Sequence, residues 1–311
     1  SGVYLIQQQV TDKQATICAR VNLSNGTGEL RKVVLRLQVN DGKKTVYETE
    51  KEVSMIPHTD VQVENIEFIL KNPRLWNGMQ DPFMYQAVLT LIKDGKELDK
   101  VEQPLGLRYY VTDPDKGFFL NGKHLPLHGV CRHQERAEVG NALCPVHHEE
   151  DTRIMLDMGV NAVRLAHYPQ NEYTVRLAEK MGFLLWQEIP IWQGIDFTDN
   201  DTRQKAQRML SEMIKRDQNR CAVGYWGVAN ETQPSKERNE FLTSLLETGK
   251  QLDTTRLYVA AFDLVRFNSE KQRFVMEDSF TSQLDVVAIN KYMGWYHPWP
   301  VEPKDAIWEV V

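Results

Sequence analysis

The chain has 311 residues, 41% of them hydrophobic and 26% charged, and a formal net charge of −6 at pH 7. That length exceeds one typical domain of roughly 100–200 residues and predicts two globular units, each large enough to bury a core. The acidic balance lacks the basic surplus that phosphate binding demands, and no apolar run approaches the roughly 20 residues of a membrane span, so neither nucleic acid nor a membrane is an expected partner.

The chain opens in a strand-like pattern, VYLIQQQV at 3–10, with no basic segment leading into an apolar one, and reads as a piece excised from something longer. Alternation then dominates. Ile17, Ala19, Val21 and Leu23 point one way along ATICARVNL, as do Val33, Leu35, Leu37 and Val39 along VVLRLQV, which is the signature of half-buried strands. Turn signals follow at NDGK (40–43) and KDGK (93–96), and no stretch before residue 105 carries a helical period. Residues 1–110 are therefore expected to form an immunoglobulin-like β-sandwich without a disulfide between its sheets. Cys18, Cys131, Cys144 and Cys221 form no CxxC pair and no metal-ligand spacing, and read as ordinary thiols.

After residue 117 strand and helix alternate. HLPLHGVCRH (124–133) reads as a first strand, and HEEDTRIMLDMG (148–159) as a helix with Ile154, Met155 and Met158 on one face, closed by Gly159. His147 and His148, at its start, read as solvated. NAVRLAHY is the second strand; Asn171 caps a helix closed by Gly182, and FLLWQEIP follows as a strand of the near-continuous apolar kind found in parallel sheets. A third helix leads to GYWGVANE, a fourth to LYVAAF, and DVVAINKY is a sixth strand. The alternation predicts a parallel sheet, and without a GxGxxG or GxxxxGK loop after the first strand, a (β/α)8 TIM barrel over 111–311 that stops after about six strands. Such a barrel has an open edge through which copies could pair as a homo-oligomer.

In a barrel the C-terminal strand ends converge on one mouth, where active sites are built. Here those ends carry Arg132 and His133, Arg164 and His167, Glu188, Asn230 and Glu231, and Asn290 and Tyr292. Glu231, expected to be desolvated by Trp226 and Tyr225, could hold a proton and give it to a leaving oxygen, and Asn230 offers both donor and acceptor to a sugar hydroxyl. Trp295 and Trp299, just past the sixth strand, are candidates for stacking on a sugar face, whereas Trp186 and Trp226 are most simply packing residues. Glu188 is either a sugar contact or a buried acid paired with Arg164. A zinc-dependent barrel hydrolase would want an HxH pair on the first strand, but His128 and His133 are five apart.

The stretches LHGVCRHQE, NAVRLAHYP, RDQNRCAVGYWGVANE and NKYMGWY resemble, in order and spacing, the successive barrel motifs of glycoside hydrolase family 2, the β-galactosidases, β-glucuronidases and β-mannosidases. NPRLWNGMQDPFMY is similar to the end of the sandwich domain that precedes the barrel in that family. The resemblance implies that Glu231 is the acid/base carboxylate and that Asn230 contacts the sugar 2-hydroxyl. It also implies that His133 and His167 line the sugar pocket and that Arg164 and Tyr292 orient the nucleophile. HGVCRH stands nearer the galactosidase and glucuronidase branches, and a retaining exo-acting β-galactosidase is the expectation, with β-glucuronidase or β-mannosidase as the alternative.

Two departures stand out. Magnesium-binding galactosidases carry an ETHG-like segment after the third strand, where this chain has EIPIWQG, with Ile191 and Trp192 in place of an acid and a histidine; no metal and no cofactor are expected. The family nucleophile is a glutamate on the seventh strand, and nothing after Tyr292 resembles its context, so it is expected beyond the end of this chain. For the 311 residues alone the competing expectation is a catalytically inert sugar-binding module.

Overall fold

A computed structural model of the chain describes residues 2–264, 266–268 and 273–291. Seven strands come first: β1 (Val3–Val10), β2 (Gln14–Asn25), β3 (Arg31–Asp41), β4 (Lys44–Met55), β5 (Thr59–Lys71), β6 (Tyr85–Lys93) and β7 (Lys96–Leu105). They form two antiparallel sheets, β1-β2-β5 and β4-β3-β6-β7. The alternating residues Ile17, Ala19, Val21 and Leu23 of β2 meet Val33, Leu35, Leu37 and Val39 of β3 in one buried core, so the period-two pattern is the packing of an immunoglobulin-like sandwich. The β6–β7 hairpin turns on Asp94 and Gly95, both with positive φ (50° and 74°), the backbone that a tight two-residue hairpin turn requires.

A small antiparallel sheet follows, built from β8 (Tyr110–Asp113), β9 (Gly117–Leu120) and β10 (Lys123–His124). Here the chain departs from the sequence reading. HLPLHGVCRH is not one strand: Lys123 and His124 pair with β9, Pro126 lies in the break, and only β11 (Gly129–Arg132) enters the parallel sheet.

The alternating region consists of β11, α1 (Pro145–Asp157), β12 (Ala162–Leu165), α2 (Glu172–Met181), β13 (Leu184–Glu188), α3 (Asn200–Asp217), β14 (Val223–Asn230), α4 (Lys236–Leu252), β15 (Leu257–Phe262), a short β16–β17 hairpin (Arg266–Asn268 and Arg273–Val275) and β18 (Val286–Ile289). Six of these strands form a parallel sheet in the order β11-β12-β13-β14-β15-β18, most of a barrel wall with β11 and β18 at its ends. Asn171 caps α2 by accepting from the Tyr173 N–H, and Gly182 ends it at φ 84°.

By packing, the chain divides into two compact units. One takes the described residues up to 166 with 170–186 and 213–224; the other takes 167–169, 187–212 and the described residues from 225 on. The first unit joins the sandwich to the start of the parallel sheet through specific bonds. Asn219 accepts from the Leu5 N–H (2.9 Å) and donates to the Val3 carbonyl (2.8 Å), and the Arg108 guanidinium reaches the Cys221 carbonyl (3.1 Å). Trp76 Nε1 donates to the Glu179 carbonyl (3.0 Å), and the buried Glu179 carboxylate takes Arg220 Nη1 (2.9 Å) and the Cys221 N–H (2.7 Å). Burial pushes the Glu179 carboxyl upward against the opposing pull of Arg220 and that N–H.

On α1 the buried side chains are His148, Thr152 and Met155, while Ile154 and Met158 are exposed, so the predicted face was rotated. His148 is not solvated: it is 1% exposed, with Nδ1 2.8 Å from Thr174 Oγ1 and 3.2 Å from Arg132 Nη2. These partners from β11 and α2 hold Nδ1, while Nε2 is buried with no hydrogen-bond partner among the described residues, and neither partner is visible from the helix's own sequence.

Candidate active site

β14 is buried along its whole length, VGYWGVAN, as a strand covered on both faces must be. A register shift between Gly227 and Ala229 interrupts its pairing with β15, after which Asn230 lies opposite Ala261. Glu231, the next residue, turns into the left-handed region at φ 52°. A glutamate resists that conformation, which costs roughly 1–3 kcal/mol and persists where surrounding bonds over-determine it. Two such bonds are present: the Glu231 N–H donates to the Ala261 carbonyl (2.9 Å), and Asn290 Nδ2 donates to Glu231 Oε1 (2.7 Å).

Asn290 stands just past β18, where its own N–H continues the sheet by bonding the Phe262 carbonyl (2.7 Å). Its Nδ2 also donates to Asn230 Oδ1 (2.8 Å), so one amide ties the last residue of β14 to the carboxylate after it. Gln193 Nε2 lies 3.5 Å from the other oxygen, Glu231 Oε2. The loop carrying Gln193 is fixed in turn by the Ile191 carbonyl, which accepts the Asn230 N–H (2.8 Å), and by the buried Ile191 side chain.

Glu188, at the end of β13, is 1% exposed and bonds His167 Nδ1. The half-exposed His167 ring runs nearly parallel to Trp192, with centroids 6.4 Å apart and planes 13° apart. His167, Glu188, Trp192, Gln193, Asn230, Glu231 and Asn290 all belong to the second unit. A cavity of about 500 Å³ in the same unit begins at the residue after Glu231, lined by Thr232, Gln233, Pro234, Phe262, Asp263 and Glu277 among others.

In the first unit, Arg164 is placed over the Trp186 ring at 4.1 Å, and His133 is exposed directly after β11. Arg132 points to the helix side of β11, where Asp151 (2.6 Å) and Gln170 (2.6 Å) hold it. Trp226 is fully buried and its indole N–H donates to Asp253 (2.9 Å), while the side-chain partners described for Glu231 are the Gln193 and Asn290 amides. Tyr292, Trp295 and Trp299 lie outside the described residues. Among the described residues no cluster of three or more potential metal-binding side chains occurs.

The sequence named Asn290 as a strand end but gave it no role, and treated Trp192 only as a missing metal ligand. Asn290 could have been suspected from its position alone, since like Asn230 it is an amide ending an apolar strand.

Chemically, the cluster holds a carboxyl group with one oxygen on a short amide bond and the other on a longer one, with a carboxylate-bound imidazole in the same unit. That arrangement can donate and recover a proton and can bind hydroxyl groups.

A family model for the TIM barrel domain of glycosyl hydrolases family 2 matches residues 111–305, and one for glycosyl hydrolases family 2 matches residues 2–108. A β-glucuronidase of Bacteroides fragilis is 45% identical over 96% of this chain, and a β-galactosidase of Thermoanaerobacterium thermosulfurigenes is 32% identical over 79% of it. The chain spans 42% of the first relative's length and 34% of the second's. The crystal structure of a Bacteroides uniformis β-glucuronidase superposes with a TM-score of 0.85 at 28% identity, covering 95% of this chain and 36% of that one. The family expected from the barrel motifs is thus the family found, and the chain belongs to glycoside hydrolase family 2.

Proposed function

We propose that the whole protein is a retaining β-glycosidase, with a sandwich domain at 1–110 and the catalytic barrel from 111 onward, and with Glu231 as acid and then base. The observation that carries this reading is the Asn290 amide bonded at once to Asn230 Oδ1 and Glu231 Oε1. A protonated carboxyl whose Oε1 accepts that N–H carries its proton on Oε2, the more loosely held oxygen, 3.5 Å from Gln193 Nε2. In the first step Oε2–H passes its proton to the glycosidic oxygen while a nucleophilic carboxylate bonds the anomeric carbon. In the second, the Glu231 carboxylate takes a proton from water, which displaces the ester.

Asn230 contacts the 2-hydroxyl. His133, His167 and Glu188 line the sugar, Arg164 and Tyr292 orient the nucleophile, and that nucleophile belongs to a part of the protein beyond these residues, placed about 5–5.5 Å from Glu231. Of the two sugars, β-D-glucuronides are favoured over β-D-galactosides because the 45% identical relative is named a β-glucuronidase, against 32% for the β-galactosidase.

The full-length protein is tested on p-nitrophenyl β-D-glucuronide and β-D-galactoside, and its Glu231→Gln variant on leaving groups that do and do not need protonation. A loss of about 100-fold or more for the former and a much smaller one for the latter is expected. Equal losses would remove Glu231 from the acid role.

A further inference from the structure

Glu231 presents two unequal oxygens. Oε1 is held at 2.7 Å by Asn290, and Oε2 stands 3.5 Å from Gln193 Nε2. Under the acid/base reading above, on which this inference rests, the departing oxygen meets Oε2, so the residues around Oε2 are those the leaving group meets. Gln193 is one, and the residue before it is Trp192.

Trp192 is 49% exposed, a large apolar surface left in water. Exposed apolar side chains occur singly on every protein and need no explanation by themselves. This one has anchored neighbours in the chain and a nearly parallel imidazole beside it. Ile191 before it is buried and bonds the Asn230 N–H, Gln193 after it reaches the Glu231 carboxylate, and its ring lies 13° from the plane of His167, itself bonded to buried Glu188. An indole nearly parallel to the His167 ring, one residue before the glutamine that reaches Glu231 Oε2, offers a flat apolar face. Such faces stack on aromatic rings and on the C–H faces of sugars.

We propose that Trp192 is the platform on which the substrate's leaving group stacks, so that this site selects glycosides whose departing part has a flat apolar face, an aromatic ring or a second sugar. The cavity lined by Thr232, Phe262 and Asp263 is the competing place for that group.

The test compares the full-length protein with its Trp192→Ala, Trp192→Phe and Phe262→Ala variants. Each is assayed on p-nitrophenyl, disaccharide and fluoride β-glucuronides and β-galactosides, fluoride having no face to stack. Trp192→Ala should lower kcat/KM about three- to tenfold through KM for the p-nitrophenyl substrate while leaving the glycosyl fluoride within twofold, and Trp192→Phe should recover most of the loss. A matching loss on the disaccharide extends the platform to sugar faces; no loss on the disaccharide confines it to aromatic rings. No loss, an equal loss on the fluoride, or a selective loss in Phe262→Ala instead would overturn the proposal. Calorimetric binding of p-nitrophenyl 1-thio-β-D-glucuronide and its galactoside counterpart makes the same comparison without turnover. A wild type that binds through Trp192 but hydrolyses nothing would therefore defeat the glycosidase reading and not this one.

Discussion

Replacing Asn290 by Ala removes one amide and two hydrogen bonds, at 2.7 Å to Glu231 Oε1 and at 2.8 Å to Asn230 Oδ1. A bond to a charged group contributes about 1.5–3 kcal/mol and a neutral one about 0.5–1.5 kcal/mol. Their catalytic effect depends on when charge develops. Under the proposed acid role, negative charge grows on the Glu231 carboxylate as its proton leaves, so the Asn290 bond would strengthen on the way to the transition state and its loss would fall on the chemical step. An expected penalty of about 2–4 kcal/mol corresponds to roughly 30- to 1000-fold in kcat/KM. The penalty should be largest for an alkyl glycoside, whose oxygen needs the proton, and much smaller for a dinitrophenyl glycoside, whose phenolate does not. Asn290→Asp keeps the shape but sets a second carboxylate against Glu231, and should be no less damaging than Ala. The assay is kcat/KM for both substrates in full-length protein, with unfolding midpoints to show that the variants fold. A loss below threefold, or equal losses for the two leaving groups, would refute the idea that Asn290 positions the acid.

Two further expectations concern the scaffold. Gly182 and Gly159 both follow helices at positive φ (84° and 76°), but a Cβ on Gly182 would meet the Gly78 carbonyl carbon at 2.2 Å, whereas one on Gly159 meets nothing within 4 Å. Gly159→Ala should then cost about 1–2 kcal/mol, the left-handed penalty alone, and Gly182→Ala about 2–5 kcal/mol by urea unfolding; equal costs would contradict the close approach. The His148 imidazole is held below its ordinary value by burial and by the Arg132 guanidinium, opposed by Asp151 and aided by His147. Its contribution is present above the unfolded value near 6.5 and is lost as pH falls through the lower folded value, so stability should drop on acidification. His148→Gln should flatten that slope, and an unchanged slope would assign it to other groups.

Much of the architecture was legible because it rests on periodicity. Ile17 through Leu23 and Val33 through Val39 could bury one face only as strands, and the apolar run of β14 fits a strand covered on both sides. The errors arose where partners come from elsewhere in the chain. His148 looked like a solvated helix start because Thr174 and Arg132, which contact its Nδ1, lie 26 and 16 residues away. Arg132 was grouped with the mouth because it ends β11, yet its side chain turns toward the helices, where Asp151 and Gln170 hold it. The merged strand at 124–133 overlooked Pro126, the residue least able to continue a ladder.

The candidate site was half legible for a related reason. Parallel strands all deliver their C-terminal ends to the same side, so a list of polar residues that end apolar strands is already a list of neighbours, and Glu188, Asn230, Glu231 and Asn290 come straight from it. What that list lacks is direction. Nothing in the chemistry of glutamate calls for a φ of 52° at residue 231; the conformation is imposed by the Ala261 carbonyl on its N–H and by Asn290 on its side chain, 59 residues along the chain. The Asn290 contact also makes the two oxygens unequal, Oε1 on a bond of 2.7 Å and Oε2 on one of 3.5 Å from Gln193. Sequence therefore located the carboxyl group, but the property that would make it an acid with a defined face comes from two other strands, and it changes if either is shifted by one residue.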